Sequence, residues 1–176
     1  MTDGSRCLRL RTVPHPHNPA YTRPLFYFEM EAKDYRNAEW WTAPAEADDG
    51  RLIMVSGCAD VQKFRSNPRF HIRFTITWKY SDSPDANMPD DSTAELMEKV
   101  TEALEMEFAK DPVAVLTGIY TGAGERNWVF YTLSTHIFTR KLNECLAELP
   151  LLPLELSAEE DPDWCEYDEM SQLSIL

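Results

Sequence analysis

Residues 69–80 read Arg69-Phe70-His71-Ile72-Arg73-Phe74-Thr75-Ile76-Thr77-Trp78-Lys79-Tyr80. Every even position is large and apolar, and every odd one is polar or charged. Side chains of a strand point alternately to its two faces, so this period-2 pattern predicts a strand burying its even residues. The loop 81–91, with Pro84 and Pro89, ends it, and Ser92 three residues before Glu95 predicts a capping box opening a helix. Leu96, Val100, Leu104 and Phe108 then repeat every four residues, the stripe of a helix with one buried face, and Lys110-Asp111-Pro112 closes it.

Further along, Val113–Thr121 and Asn127–Leu133 are β-type runs joined through Gly122-Ala123-Gly124, which predicts a hairpin. In the strand of Trp128, Val129, Phe130 and Tyr131, apolar residues occupy both faces, so at least one pair belongs to a core. Thr135 is expected to cap a second helix with the stripe Phe138, Leu142, Cys145, Leu146 and Leu149, ended by Pro150. Leu152, Leu154 and Leu156 alternate along a last strand. Pro153 cannot donate to a ladder, so that strand is expected at an edge. Asp161-Pro162 predicts an N-cap followed by proline at the first position of a short helix through Trp164 and Tyr167. The order strand, helix, strand, strand, helix, strand is that of a ferredoxin-like split β-α-β sandwich (β-α-β-β-α-β), an α+β fold.

Working outward to the N-terminus, residues 1–24 carry Pro14, Pro16, Pro19 and Pro24 without periodicity and read as an irregular arm. Residues 25–68 read as a β-rich extension packed on the sheet of a domain spanning 69–176. Within it, Leu25–Glu31 is aromatic-rich, and Trp40–Ala43 and Leu52–Ser56 flank the turn dipeptide Asp49-Gly50 as a β-hairpin.

The charge is divided unevenly. Of a formal net −13, residues 1–80 carry 12 Lys/Arg against 9 Asp/Glu, whereas 81–176 carry 5 against 21, a net of −16. Such a half repels phosphate backbones and attracts basic proteins, so direct nucleic-acid binding is disfavoured and a partner with a basic segment is expected. No apolar run approaches the roughly 20 residues a membrane helix needs. The first twenty residues hold no apolar leader core, so a cytoplasmic location without membrane contact is expected.

The chemistry-bearing residues are sparse. Cys7, Cys58, Cys145 and Cys165 are scattered without metal-site spacing and read as reduced thiols. His15 and His17 lie in the arm without further ligands, and His136 reads as a surface residue. Gly118, Gly122 and Gly124 join strands rather than a strand to a helix, so they read as turn residues, not a phosphate cradle. No nucleophile-elbow, zincin or kinase motif occurs. Neither a catalytic residue, a metal site nor a cofactor is expected. The densest carboxylate cluster surrounds Glu159, Asp161, Asp163, Glu166 and Glu169, with Trp164 and Tyr167 between them. Its readings are a solvated, dipole-matched helix start or a protein-binding surface, with the two aromatics most simply docking the helix on the sheet. A different reading places a small-ligand pocket, or that of an unrecognised hydrolase, between the N-terminal hairpin and the sheet, lined by Trp40, Trp41, His71 and Arg73.

Three stretches carry a family resemblance: the hairpin Val115–Thr132, the tail Leu156–Tyr167, and the strand Phe70–Tyr80 with Met88-Pro89 after it. Together they resemble the bacterial family called domain of unknown function 695, over roughly residues 36–170. Asn87 stands where a glycine is expected before Met-Pro, and asparagine tolerates a left-handed backbone there. The resemblance implies the ferredoxin-like core and an acidic tail, and no catalytic residue. That family is in turn distantly similar to the regulators of RNase E activity B, small acidic proteins that inhibit a ribonuclease by binding it. The implied function is a non-catalytic, acidic interaction or regulatory domain. An immunity-type inhibitor of a toxin stays open beside it, as does the ligand pocket, and the oligomeric state is not fixed by the sequence.

Overall fold

The computed structural model describes residues 11–12, 38–83, 85, 88–111 and 113–175. The expected strand Leu25–Glu31, most of the 1–24 arm and Asn87 lie outside the described residues. Within the arm, Arg11–Thr12 form a short strand, β1. The other strands are β2 Trp40–Glu46, β3 Leu52–Cys58, β4 Ile72–Lys79, β5 Ala114–Gly122, β6 Glu125–Thr132 and β7 Leu154–Glu160. The helices are α1 Gln62–Arg65, α2 Asp91–Lys110, α3 Thr135–Cys145 and α4 Cys165–Ser171, the last running into a 3-10 turn, Gln172–Ile175.

The seven strands among the described residues form one antiparallel sheet in the order β1-β2-β3-β5-β6-β4-β7. The β2–β3 hairpin therefore does not lie over the sheet. It continues it in plane, with Ile53–Gly57 of β3 paired to Gly118–Gly122 of β5.

The expected stripe is seen from Phe74 on: Phe74, Ile76 and Trp78 of β4 are buried beneath α2 and α3 with Met97, Val100, Leu104, Phe108, Phe138 and Leu142. Phe70, by contrast, precedes the strand, which opens at Ile72, and joins the cluster on the opposite face. In β6 both faces are core. Trp128 and Phe130 join that cluster, while Val129 and Tyr131 join a second on the opposite face with Val55, Val115, Tyr120, Trp164, Tyr167, Met170 and Leu173. The second face is thus closed by the C-terminal segment, and the molecule has three layers: α2 and α3, the sheet, and α1 with α4. Gly118 lies inside β5 rather than in the turn. A Cβ there would collide with Met170 Sδ, so its missing side chain is what lets the Met170 side chain of α4 lie against the strand.

Both helix caps fall one or two residues earlier than expected. Asp90, not Ser92, accepts from the Thr93 amide at 2.8 Å, and Ser92 Oγ donates to Asp90. Likewise Ser134, not Thr135, accepts from the Ile137 amide. In each case the residue still in extended geometry is the one whose oxygen reaches the free amides. The β5–β6 turn is the expected hairpin, with Ala123 (φ 54°) and Gly124 (φ 90°) both left-handed. A two-residue turn of this hand prefers Asn-Gly. Ala123→Asn is therefore expected to raise stability by about 0.5–1 kcal/mol, read as a higher denaturant midpoint.

The last strand occupies an edge, as expected, but it is shifted. It begins at Leu154, leaving Leu152 and Pro153 before it, and runs on through Glu159 and Glu160.

Candidate functional site

The acidic C-terminal segment divides into a buried half and an exposed half. Asp161, Trp164, Glu166 and Tyr167 are buried, whereas Glu159, Asp163 and Glu169 are exposed. The helix opens at Cys165 rather than at Pro162. Residues 161–164 form a turn closed by the Trp164 amide donating to the Asp161 carbonyl at 3.2 Å. Asp161 still caps, but from four residues back: its Oδ1 accepts from the Cys165 amide at 2.9 Å and its Oδ2 from the Glu166 amide at 3.2 Å.

What forces this turn is Trp164, whose backbone is left-handed (φ 59°, ψ 40°). That conformation is unusual for a bulky residue, costs of order 1–3 kcal/mol and persists only when surroundings over-determine it. The surroundings are specific. The indole stacks on the Tyr131 ring with centroids 3.9 Å apart and planes 6° from parallel, and its Nε1 donates to the Phe70 carbonyl at 2.8 Å. Tyr167 lies edge-on to it and donates its hydroxyl to the Cys58 carbonyl at 2.9 Å. At the helix's outer side Arg65 of α1 holds Asp168 bidentately at 2.6 and 2.7 Å.

Beneath the helix runs a polar network. Tyr131 donates its hydroxyl to Asp161 Oδ2 at 2.5 Å, and Tyr120 donates to Glu166 Oε1 at 2.7 Å. Arg73 donates from Nη1 to Glu166 Oε2 at 3.2 Å and from Nη2 to Glu159 at 2.5 Å. Burial and the facing carboxylates push both tyrosine hydroxyls up, so both act as donors. Burial also raises the Glu166 carboxyl, although Tyr120 and Arg73 pull against it. For Asp161 burial acts upward too, but the Tyr131 hydroxyl and the two helix amides outweigh it, and its carboxyl is held below the usual range. A tyrosine–glutamate–arginine set of this kind resembles acid–base machinery in composition. Here its polar atoms are spent on each other and lie under α4, so the arrangement fastens the helix to the sheet.

Of the four residues expected to line a pocket, Trp40 and Trp41 lie on β2, and His71 and Arg73 at β4. Strands β3, β5 and β6 intervene, and at about 4.8 Å per strand the two pairs stand roughly 19 Å apart. They are not brought together: Trp41 packs over Gly57, Arg73 joins the buried network, and His71 Nδ1 lies 2.5 Å from Glu160. An open groove of about 420 Å³ sits instead on the α2 side of the sheet, lined in part by Met54, Met88, Ile119, Thr121, Glu98 and Arg126. Its guanidinium is already held by Thr121 Oγ1 at 2.9 Å and Glu98 at 2.9 Å. Sequence reading missed this groove because β3, β5, β6 and α2 meet there only after the hairpin joins the sheet in plane.

Burial pushes the Cys58 and Cys145 thiols up to about 11, and Asp161 raises the exposed Cys165, so none is an activated nucleophile. Among the described residues no group of three or more His, Cys, Asp and Glu is placed to hold a metal ion. Nor, among them, is any helix long and apolar enough to cross a membrane.

No curated protein and no solved structure matches the chain. The model of a family of unknown function, DUF695, matches residues 38–170. That span begins just before β2 and ends at Met170 of α4, so it takes in the turn at 161–164, the buried network and every described strand but β1. Covering well over half of the chain, the match makes this protein a member of the DUF695 family.

Proposed function

We propose that the chain is a non-catalytic, acidic interaction domain that regulates a larger protein by docking on a basic region of it, in the cytoplasm. We also read its strands β5-β6-β4-β7, with α2 and α3 as crossovers, as a ferredoxin-like core to which the β2–β3 hairpin is added. The observation that carries the functional reading is how carboxylates are distributed in the acidic half. Glu155, Glu159, Glu160, Asp163 and Glu169 are all exposed along β7, the turn after it and α4, while the aromatics beside them face inward. A negative surface of this kind speeds encounter with basic partners, even with Glu155, Glu159 and Glu160 paired to Lys79, Arg73 and His71.

Two further features favour protein over nucleic acid. Sheets of this shape that bind RNA use aromatics on an open face. Here Tyr131 is stacked under Trp164 and Tyr120 is bonded to Glu166, so neither ring is offered to a base.

Neutralising Asp161 or Glu166 would disturb the fold and test nothing about docking. The informative variant combines Glu155→Gln, Glu160→Gln, Asp163→Asn and Glu169→Gln, all at exposed positions whose surface ion pairs contribute about 0–1 kcal/mol. Its melting temperature should stay near that of the parent, while capture of the partner from native lysate at low salt falls at least tenfold. Undiminished capture would exclude this surface.

A further inference from the structure

The unpartnered side of β7 is the feature that the fold leaves unused. The strand pairs with β4 without a register shift, from Trp78↔Leu154 to Ile72↔Glu160, and nothing among the described strands pairs with its other side. One step beyond that register, the Asp161 amide donates to the His71 carbonyl at 2.7 Å. In an antiparallel ladder, inward-bonded and outward-turned residues alternate. Counting back by twos, Glu159, Ser157 and Glu155 bond to β4, so Leu156, Ala158 and Glu160 turn their N–H and C=O groups outward.

Exposed edges are ordinarily blunted by lysine, proline or a bulge. Residues 154–160, Leu-Glu-Leu-Ser-Ala-Glu-Glu, contain no lysine and no proline, and their pairing has no bulge. Their charge is instead all negative. Two copies brought edge to edge would set glutamates against glutamates, and like charges across a ladder are destabilising. The charge that discourages self-pairing is the one that selects a basic strand.

Resting on the interaction reading above, we propose that β7 is where the partner binds, by adding an extended basic segment to the sheet edge. Strand addition draws affinity from main-chain hydrogen bonds and specificity from alternate side chains. Glu155 and Glu159, which also pair with Lys79 and Arg73, point to the α4 side of the sheet, and Leu156, 44% exposed, points to the α2 side with Ala158 and Glu160. The segment recognised therefore alternates basic residues with small apolar ones.

The test uses the full chain and, as probe, an end-capped eight-residue peptide alternating lysine and valine, followed by fluorescence anisotropy and amide exchange. Binding should protect the amides of Leu156, Ala158 and Glu160. Ala158→Pro removes an outward N–H while leaving the β4 ladder intact, and should weaken binding at least tenfold. A peptide N-methylated at alternate amides should lose affinity equally, which decides the matter even where the proline variant folds poorly. If the four-carboxylate variant loses binding while Ala158→Pro and the N-methylated peptide bind as the parents do, strand addition is overturned and the acidic docking reading stands. If the peptide does not bind at low salt, or binds the neutralised variant equally well, both fall. A concentration-dependent dimer abolished by Ala158→Pro would make a second copy the occupant and overturn the proposal.

Discussion

Trp164→Ala is expected to cost about 4 kcal/mol of folding stability, within the range of about 3–5 kcal/mol for truncating a buried tryptophan. The indole is 1% exposed, stacks on Tyr131 and donates to Phe70. Alanine would need the same left-handed backbone without the stack and the indole hydrogen bond that favour it. Against a total of about 5–15 kcal/mol for a domain, the loss is large. It should not be uniform: α4 is fastened chiefly by this residue and the polar network, so residues 161–171 should open first. Denaturant titration gives the total, and amide exchange at α4 against β4 and β6 gives the distribution. A loss below about 1 kcal/mol would mean that the stack does not hold the helix.

Asp161→Ala is expected to cost about 3 kcal/mol, since it strands the buried Tyr131 hydroxyl and uncaps the Cys165 and Glu166 amides at once. Tyr131→Phe, by removing only the hydroxyl, should cost less, and the two substitutions together should cost less than their sum. The effect should also depend on pH with a definite sign. The Asp161 carboxyl is depressed below its ordinary 3.8, so its contribution is present in full above that value and is lost as pH falls through its lower folded-state pKa. The gap between parent and Asp161→Ala should accordingly narrow in strong acid. Glu166, raised by burial, works the other way: its contribution is present below its ordinary 4.5 and is lost as pH rises through its higher folded-state pKa. A gap that widened on acidification would contradict the assignment of Asp161 as the charged acceptor.

These two residues also mark where the sequence is legible and where it is not. The even-numbered stripe of β4 and the repeat of α2 are local patterns that burial enforces directly, so they can be read from spacing. Trp164 and Tyr167 identify a C-terminal segment that must dock, although Trp164 precedes α4 rather than sharing a helix face with Tyr167. Nothing local says that the docking site is the second face of β5 and β6, because that depends on Gly118 opposite Met170 and on Tyr131 lying flat beneath the indole. The carboxylates show the same division. Asp161 and Glu166 look like their neighbours in sequence, and only the tyrosines and Arg73 reached across the sheet turn them into buried acceptors. Had Trp164 been recognised as left-handed, the helix start at Cys165 would have followed, but a tryptophan carries no sequence signal for that backbone. The pocket of Trp40, Trp41, His71 and Arg73 failed for a related reason: hairpins join sheets edgewise as readily as they cover them, and the alternation in β2 and β3 is the same either way.

The central claim is that the exposed acidic surface engages a basic protein. It is tested most directly by capturing partners of the tagged full chain from native lysate at low and at high salt, and quantifying each by mass spectrometry. Attraction between exposed charges is screened beyond about 10 Å at 0.1 M salt. The account predicts a near-stoichiometric partner with a basic segment, present at low salt and lost as salt rises. A partner held equally at both, or none at either, would contradict it.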